Sequence, residues 1–160
     1  MIQTANELRD IVNQVLPLLQ GISDEAAAAK PNPIKWSKKE ILGHLIDSAS
    51  NNQHKFVRTM AQPQLHFVGY AQNHWVVAQH YASANWELLT TLWASYNLQL
   101  AHVIENTVPS VLHNTITIEG AGPFTLEFIM KDYAEHLKHH LLQILPDAEL
   151  KSGFVNIYGV

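Results

Sequence analysis

Residues 132–145 read DYAEHLKHHLLQIL, and in this stretch Tyr133, Leu137, Leu141 and Ile144 recur every three or four positions, the spacing of a helix with one buried face. His136 and His140 stand four apart within that stripe, so their side chains share a face one turn apart, with Cβ atoms roughly 5–6 Å from each other. Metal–imidazole bonds are about 2.0–2.1 Å long, so two such rings can converge on a single ion just off the helix. Upstream, Thr125 can cap the helix and Phe128 and Ile129 extend its apolar face; downstream, Pro146 ends it.

Working outward, residues 30–48 read KPNPIKWSKKEILGHLIDS. Ser37 and Glu40 have capping-box spacing, and Ile41, Leu42, Leu45, Ile46, Ala49, Phe56 and Val57 carry a helical pattern to about Met60. Ile41, Leu45 and Ser48 put His44 on the inward stripe, which makes it the best third ligand. Alone, each histidine reads more simply as a core residue satisfied by a hydrogen bond. Three inward histidines on two helices would each need a buried partner, whereas one shared cation serves all of them. His139 falls on the line of Asp132, Glu135 and Gln143, at the edge of the buried face, and reads as a surface residue or one beside the site, with a ligand role in place of His140 as the alternative.

Two more helices complete the expected fold. Thr4 and Glu7 have capping-box spacing ahead of Leu8, Ile11, Val12, Val15, Leu18 and Leu19, giving a first helix to about residue 20. Ser83 can cap a third helix along Leu89, Leu92, Trp93, Tyr96, Leu100, Val103 and Ile104, ending before Pro109. Between helices one and two, residues 21–36 form a connector in which Ser23 can cap a short turn. An aromatic-rich loop through Tyr70, Trp75 and Tyr81 links helices two and three. Residues 110–124 suggest a long loop with a short extended segment that turns at GAGP. The fold expected is all-α, a four-helix bundle in one domain spanning residues 1–160, with its core at about 4–145. The tail, 146–160, is apolar enough to dock on the bundle or on a partner subunit, and could equally be loose.

Composition narrows the function. Hydrophobic residues make up 47% of the 160 and charged ones 15%, which excludes a disordered chain. The formal net charge is −4 and no basic run occurs, so a nucleic-acid partner lacks its usual footprint. No apolar run approaches the roughly 20 residues of a membrane span, and MIQTANELRD has neither basic leader nor apolar stretch, so the protein reads as cytoplasmic. With no cysteine, disulfides, thiolate ligands and a cysteine nucleophile are excluded, and any thiol chemistry needs a bound small molecule. Histidine, by contrast, occurs ten times. His54, His66, His74, His80, His102 and His113 lack the framing of the three candidates, although His74 and His80 sit in the aromatic loop and could line a pocket.

The run from the Pro-rich connector through Trp36, Ser37 and the Gly-His-Leu-x-Asp segment resembles the second-helix motif of the DinB/YfiT-like superfamily, and the His-x-x-x-His of the last helix resembles its C-terminal motif. The resemblance covers roughly residues 4–145. It implies a small four-helix bundle holding a divalent ion, often zinc or nickel, with the motif histidines falling on His44, His136 and His140. It also implies kinship with S-transferases and isomerases that use low-molecular-weight thiols, although many relatives have no established activity. Three neutral imidazoles leave an ion its full charge and an open position, as in catalytic sites. The function expected is therefore a metal-dependent transferase passing a small thiol to an electrophilic small molecule; a hydrolase and a non-catalytic metal-stabilised interaction module are the alternatives. Asp47, three residues after His44, could orient it or relay a proton, while Asp132 reads as a solvated acid. Tyr70, Asn73 and Trp75 are the candidate substrate contacts. Trp36 reads as a packing residue at the helix entry, and the apolar helices make a homodimer plausible.

Overall fold

The computed structural model describes residues 1–157; the last three positions of the expected tail lie outside the described residues. Four long helices form the bundle: α1 (Ile2–Gln20), α3 (Lys38–Ala61), α5 (Trp86–Glu105) and α6 (Leu126–Ile144). Short helices α2 (Asp24–Ala28) and α4 (Gln72–Ala78) lie in the connections, with strands β1 (Gln64–Phe67), β2 (Thr115–Ile118) and β3 (Ala121–Thr125). Helix α1 packs chiefly on α5, and α3 lies between α5 and α6. Leu8, Leu19, Leu42, Leu45, Phe56, Trp93, Leu100, Ile104 and Tyr133 are completely buried where these faces meet. Each such apolar side chain contributes roughly 1.5–3 kcal/mol relative to an exposed one.

Caps set the helix starts. Ser37 Oγ accepts from Glu40 N–H at 3.3 Å while the Glu40 carboxylate accepts from Ser37 N–H at 2.8 Å, the reciprocal box its sequence predicts. Ser23 caps α2 and Thr125 caps α6, as expected. Two other caps differ. Helix α1 begins at Ile2, and Thr4 is buried inside it with no capping bond, while the Glu7 carboxylate takes Lys138 Nζ at 2.6 Å. Helix α5 is capped by Asn85, whose Oδ1 accepts from Leu88 N–H at 2.8 Å; Ser83 sits in the 3₁₀ turn just before it. The Asp24 carboxylate accepts from Trp86 N–H at 3.0 Å, satisfying a second open amide of α5 and fixing its start there.

The single extended excursion expected at 110–124 is a hairpin, and it joins a strand from the aromatic loop. Strand β1 pairs parallel with β2, Gln64 opposite Thr115, and β2 pairs antiparallel with β3. The hairpin turns at Glu119 and Gly120, both at positive φ (49° and 86°), one position before the expected GAGP turn, so most of that motif lies in β3. Glu119 then accepts from Gly69 N–H at 2.6 Å, which ties the hairpin tip to the chain leaving β1. This small sheet holds residues 69–72 beside the α3–α6 seam. In that seam Lys38 at the start of α3 donates to the Ile144 carbonyl at the end of α6, so the two helices run antiparallel.

Candidate functional site

The antiparallel seam brings together three histidines that are far apart in the chain. Ring centroids lie 5.4 Å apart for His44 and His136, 4.8 Å for His44 and His140, and 4.6 Å for His136 and His140. Each offers one ring nitrogen within 4.8 Å of the other two, an arrangement that could hold a metal ion. His44 is only 1% exposed, and neither of its ring nitrogens has a hydrogen-bond partner among the described residues. An unsatisfied buried polar atom costs about 1–3 kcal/mol, a cost that a ligand on His44 would offset. The donor set fits a divalent ion of intermediate softness.

Electrostatics agree. Burial, reinforced by neighbouring His140, pushes the His44 imidazole down to about 3. Burial also holds His136 well below its ordinary value, with His140 and His44 adding to the effect, and burial lowers His140. The deeper two rings are therefore neutral at neutral pH, the state in which imidazole binds metal. Gln143 orders the rim: its Oε1 lies 3.2 Å from His140 Nδ1 and its Nε2 3.2 Å from His139 Nε2. Accepting from Nδ1–H leaves His140 Nε2 with its lone pair. Ser48 Oγ lies 3.5 Å from His136 Nδ1.

The triad opens into a cleft of about 490 Å³ lined also by Lys55, Tyr70, Asp132 and Tyr133, and by Phe154 from the tail. Lys55 falls on the same helical stripe as His44 and Ser48, and that periodicity could have marked it from sequence. Burial brings its ammonium down to about 8, partly offset by the Asp132 charge, and the ammonium lies 5.5 Å from the Phe67 ring. Asp132, read from sequence as a solvated acid, is half-buried and lines this cleft.

The other expected residues divide. Tyr70 lines the cleft and Trp75 packs on Tyr70 at 4.8 Å, but neither Trp75 nor the exposed Asn73 is among the lining residues. The Asp47 carboxylate makes no hydrogen bond to His44. Its Oδ1 accepts from Gln79 Nε2 at 2.7 Å and Tyr81 Oη at 2.8 Å, and its Oδ2 is buried without a partner among the described residues. The reason is Gly43: a Cβ there would lie 2.2 Å from the Tyr81 ring, so the missing side chain admits Tyr81 onto the face of α3 that Gly43 shares with Asp47. Trp36 is half-buried against the core and also lies 5.3 Å from the His44 ring. His139 is exposed, 5.1 Å from His140, and the six remaining histidines are exposed and outside the triad. The tail docks on the bundle at Glu135, whose carbonyl accepts from Ser152 Oγ at 2.9 Å. Among the described residues no helix is long and apolar enough to cross a membrane.

The family model described as the DinB superfamily matches residues 7–144. The chain belongs to the DinB superfamily. No curated protein matches this DinB-superfamily chain. Among solved structures it is similar to YfiT from Bacillus subtilis, with a TM-score of 0.81 and 14% identity over 90% of this chain and 83% of that one. That protein is described as "a probable metal-dependent hydrolase with an unusual four-helix bundle topology". At this identity the likeness establishes the shared fold, a DinB-type four-helix bundle.

Proposed function

We propose that this DinB-superfamily protein is a metal-dependent enzyme in which His44, His136 and His140 hold one divalent ion, zinc or nickel, at the head of a cleft that admits a small electrophilic molecule. The observation that carries this reading is the convergence of three imidazoles on one point, with both nitrogens of buried His44 lacking any hydrogen-bond partner among the described residues. A divalent ion bound by three neutral imidazoles lowers the pKa of water or of a thiol and so supplies a nucleophile at neutral pH.

The chain's own residues do the rest. Burial keeps His44 and His136 unprotonated, and Gln143 fixes the tautomer of His140. Tyr70 and Tyr133 wall the cleft, and Lys55 and Asp132 give it a polar end. Its volume falls within the roughly 300–1,000 Å³ usual for small-molecule sites. Hydrolysis is favoured by the likeness to the Bacillus subtilis protein. Transfer onto a low-molecular-weight thiol would use the same arrangement, with the thiol arriving as co-substrate because the chain has no cysteine.

The test is the metal content of tag-free protein, by elemental mass spectrometry, beside His136→Ala purified identically. Near one equivalent in the native protein and its loss in the variant are expected; negligible metal after incubation with zinc and nickel would refute the proposal. Cobalt substitution then separates the two chemistries. A visible spectrum that shifts on adding small thiols supports transfer, and one that ignores them supports hydrolysis. An ion that exchanges neither water nor thiol would leave a metal-stabilised binding module.

A further inference from the structure

We propose that Phe154 is a positioning residue of this site, the ring of a C-terminal strap over residues 152–157 that packs on His136 and governs exchange between the triad and solvent. This inference rests on the metal-binding reading above. Nothing in the helix pattern requires these residues to be ordered, since chain ends are ordinarily loose unless tied down. Here they are tied at one residue. Ser152 Oγ donates to the Glu135 carbonyl at 2.9 Å, and Gly153 N–H donates to Glu135 Oε2 at 2.6 Å. Phe154 N–H donates in turn to Ser152 Oγ at 3.1 Å, which closes a turn and aims the ring.

The anchor is itself braced. Glu135 Oε1 takes Lys138 Nζ at 2.6 Å, and the same ammonium reaches Glu7 of α1 at 2.6 Å. Glu135 immediately precedes His136, so the strap is pinned beside the ligand it covers. The Phe154 ring meets His136 edge-to-face at 5.1 Å and His139 at 5.5 Å. Phe154 is half-buried and lines the cleft, whereas the buried core is built from the helices and the sheet. Its place over two histidine rings gives it a role at the site beyond filling the interior. Packed on His136, the ring limits rotation of that imidazole, and it removes one wall of open solvent from the triad.

The experiment uses the full-length protein and its Phe154→Ala and Phe154→Leu variants. In the zinc-loaded proteins, the rate of zinc transfer to an excess of chelator is followed. In the metal-free proteins, the rate of His136 carbethoxylation by diethyl pyrocarbonate is read by peptide mass. Losing two aromatic contacts should accelerate both rates in Phe154→Ala by about tenfold. Phe154→Leu, which keeps apolar bulk over His136 but loses both ring contacts, should fall between the native protein and Phe154→Ala, and the thermal midpoint should barely move. Unchanged zinc release together with unchanged His136 modification in Phe154→Ala would overturn the strap. If native protein takes up no zinc while His136 modification still accelerates in the variant, the strap stands and the metal reading falls.

Discussion

Lowering the pH of the metal-free protein from 7.5 to 5.5 should cost it stability through two buried imidazoles. His44 and His136 are held neutral in the fold, far below the ordinary histidine value of 6.5. In the unfolded chain they bind protons as the pH passes that value, so the unfolded state carries more protons and stability falls as the solution is acidified. At pH 5.5 each group contributes about 1.4 kcal/mol of destabilisation, and the pair about 3 kcal/mol. For His44 this loss continues until the pH nears about 3, where the folded form also protonates. The carboxylates lowered by ion pairs and hydrogen bonds, such as Glu40 and Glu105, lose their contribution only as the pH falls toward and below 4.5, outside this window. Burial also lowers His140 and Lys55, which act in the same sense, and raises Asp47, which acts in the opposite sense, but all three are common to native and variant protein and cancel in their difference. Urea unfolding followed by circular dichroism at the two pH values measures the effect, which corresponds to about 6–12 °C in thermal midpoint for a chain of this length. A His44→Leu/His136→Leu variant should lose far less across the same interval. An equal loss in that variant would refute the argument that these imidazoles are buried and neutral.

Three substitutions probe the scaffold. Ser37→Ala removes one half of the capping box of α3 and should cost about 1 kcal/mol by chemical denaturation, without changing metal content. Gly43→Ala places a methyl group inside the Tyr81 ring and should cost about 1–3 kcal/mol through overpacking; near-ultraviolet circular dichroism should register the displaced tyrosine. Tyr133→Phe strands the Asn97 oxygen that now accepts from the phenol at 2.6 Å inside the core. A loss of about 1–3 kcal/mol is expected, since a buried acceptor loses its donor.

Much of the site was legible because its residues obey a period. Four-residue spacing placed His136 and His140 on one face, and the apolar neighbours of His44 pointed it inward, which is the geometry that the α3–α6 seam displays. Ser37, Ser23 and Thr125 were legible as caps because each stands just ahead of its helix, where its side-chain oxygen reaches the amide three residues on. Thr4 and Ser83 were not, for different reasons. Helix α1 extends back to Ile2, which pulls Thr4 into the buried face, and Asn85 competes two positions after Ser83 with Asp24 supporting the later start. The sheet was out of reach because β1 finds its partner 51 residues downstream, Gln64 opposite Thr115, and four-residue strands carry too little pattern to announce a parallel pairing. The hydrogen bonds of Asp47 were not legible, since its direction depends on Tyr81 lying in the gap left by Gly43, a contact made by a separate segment. Lys55 shares the stripe of His44 and was overlooked because a lysine among polar neighbours ordinarily reads as surface.

The antiparallel seam between α3 and α6 carries a thermodynamic consequence. Ser48 meets His136 across 88 residues of chain, and the neighbouring triad spans a comparable separation. In the unfolded chain these imidazoles are scattered, so an ion that binds all three selects the native pairing of the two helices over any swapped or slipped arrangement. Such an ion, present at one hundred times its dissociation constant, would deepen the native well by about 2.7 kcal/mol. Metal supply would then set how much of this protein is folded as well as how much of it is charged with its ion, and a cell short of the ion would hold less of the scaffold itself.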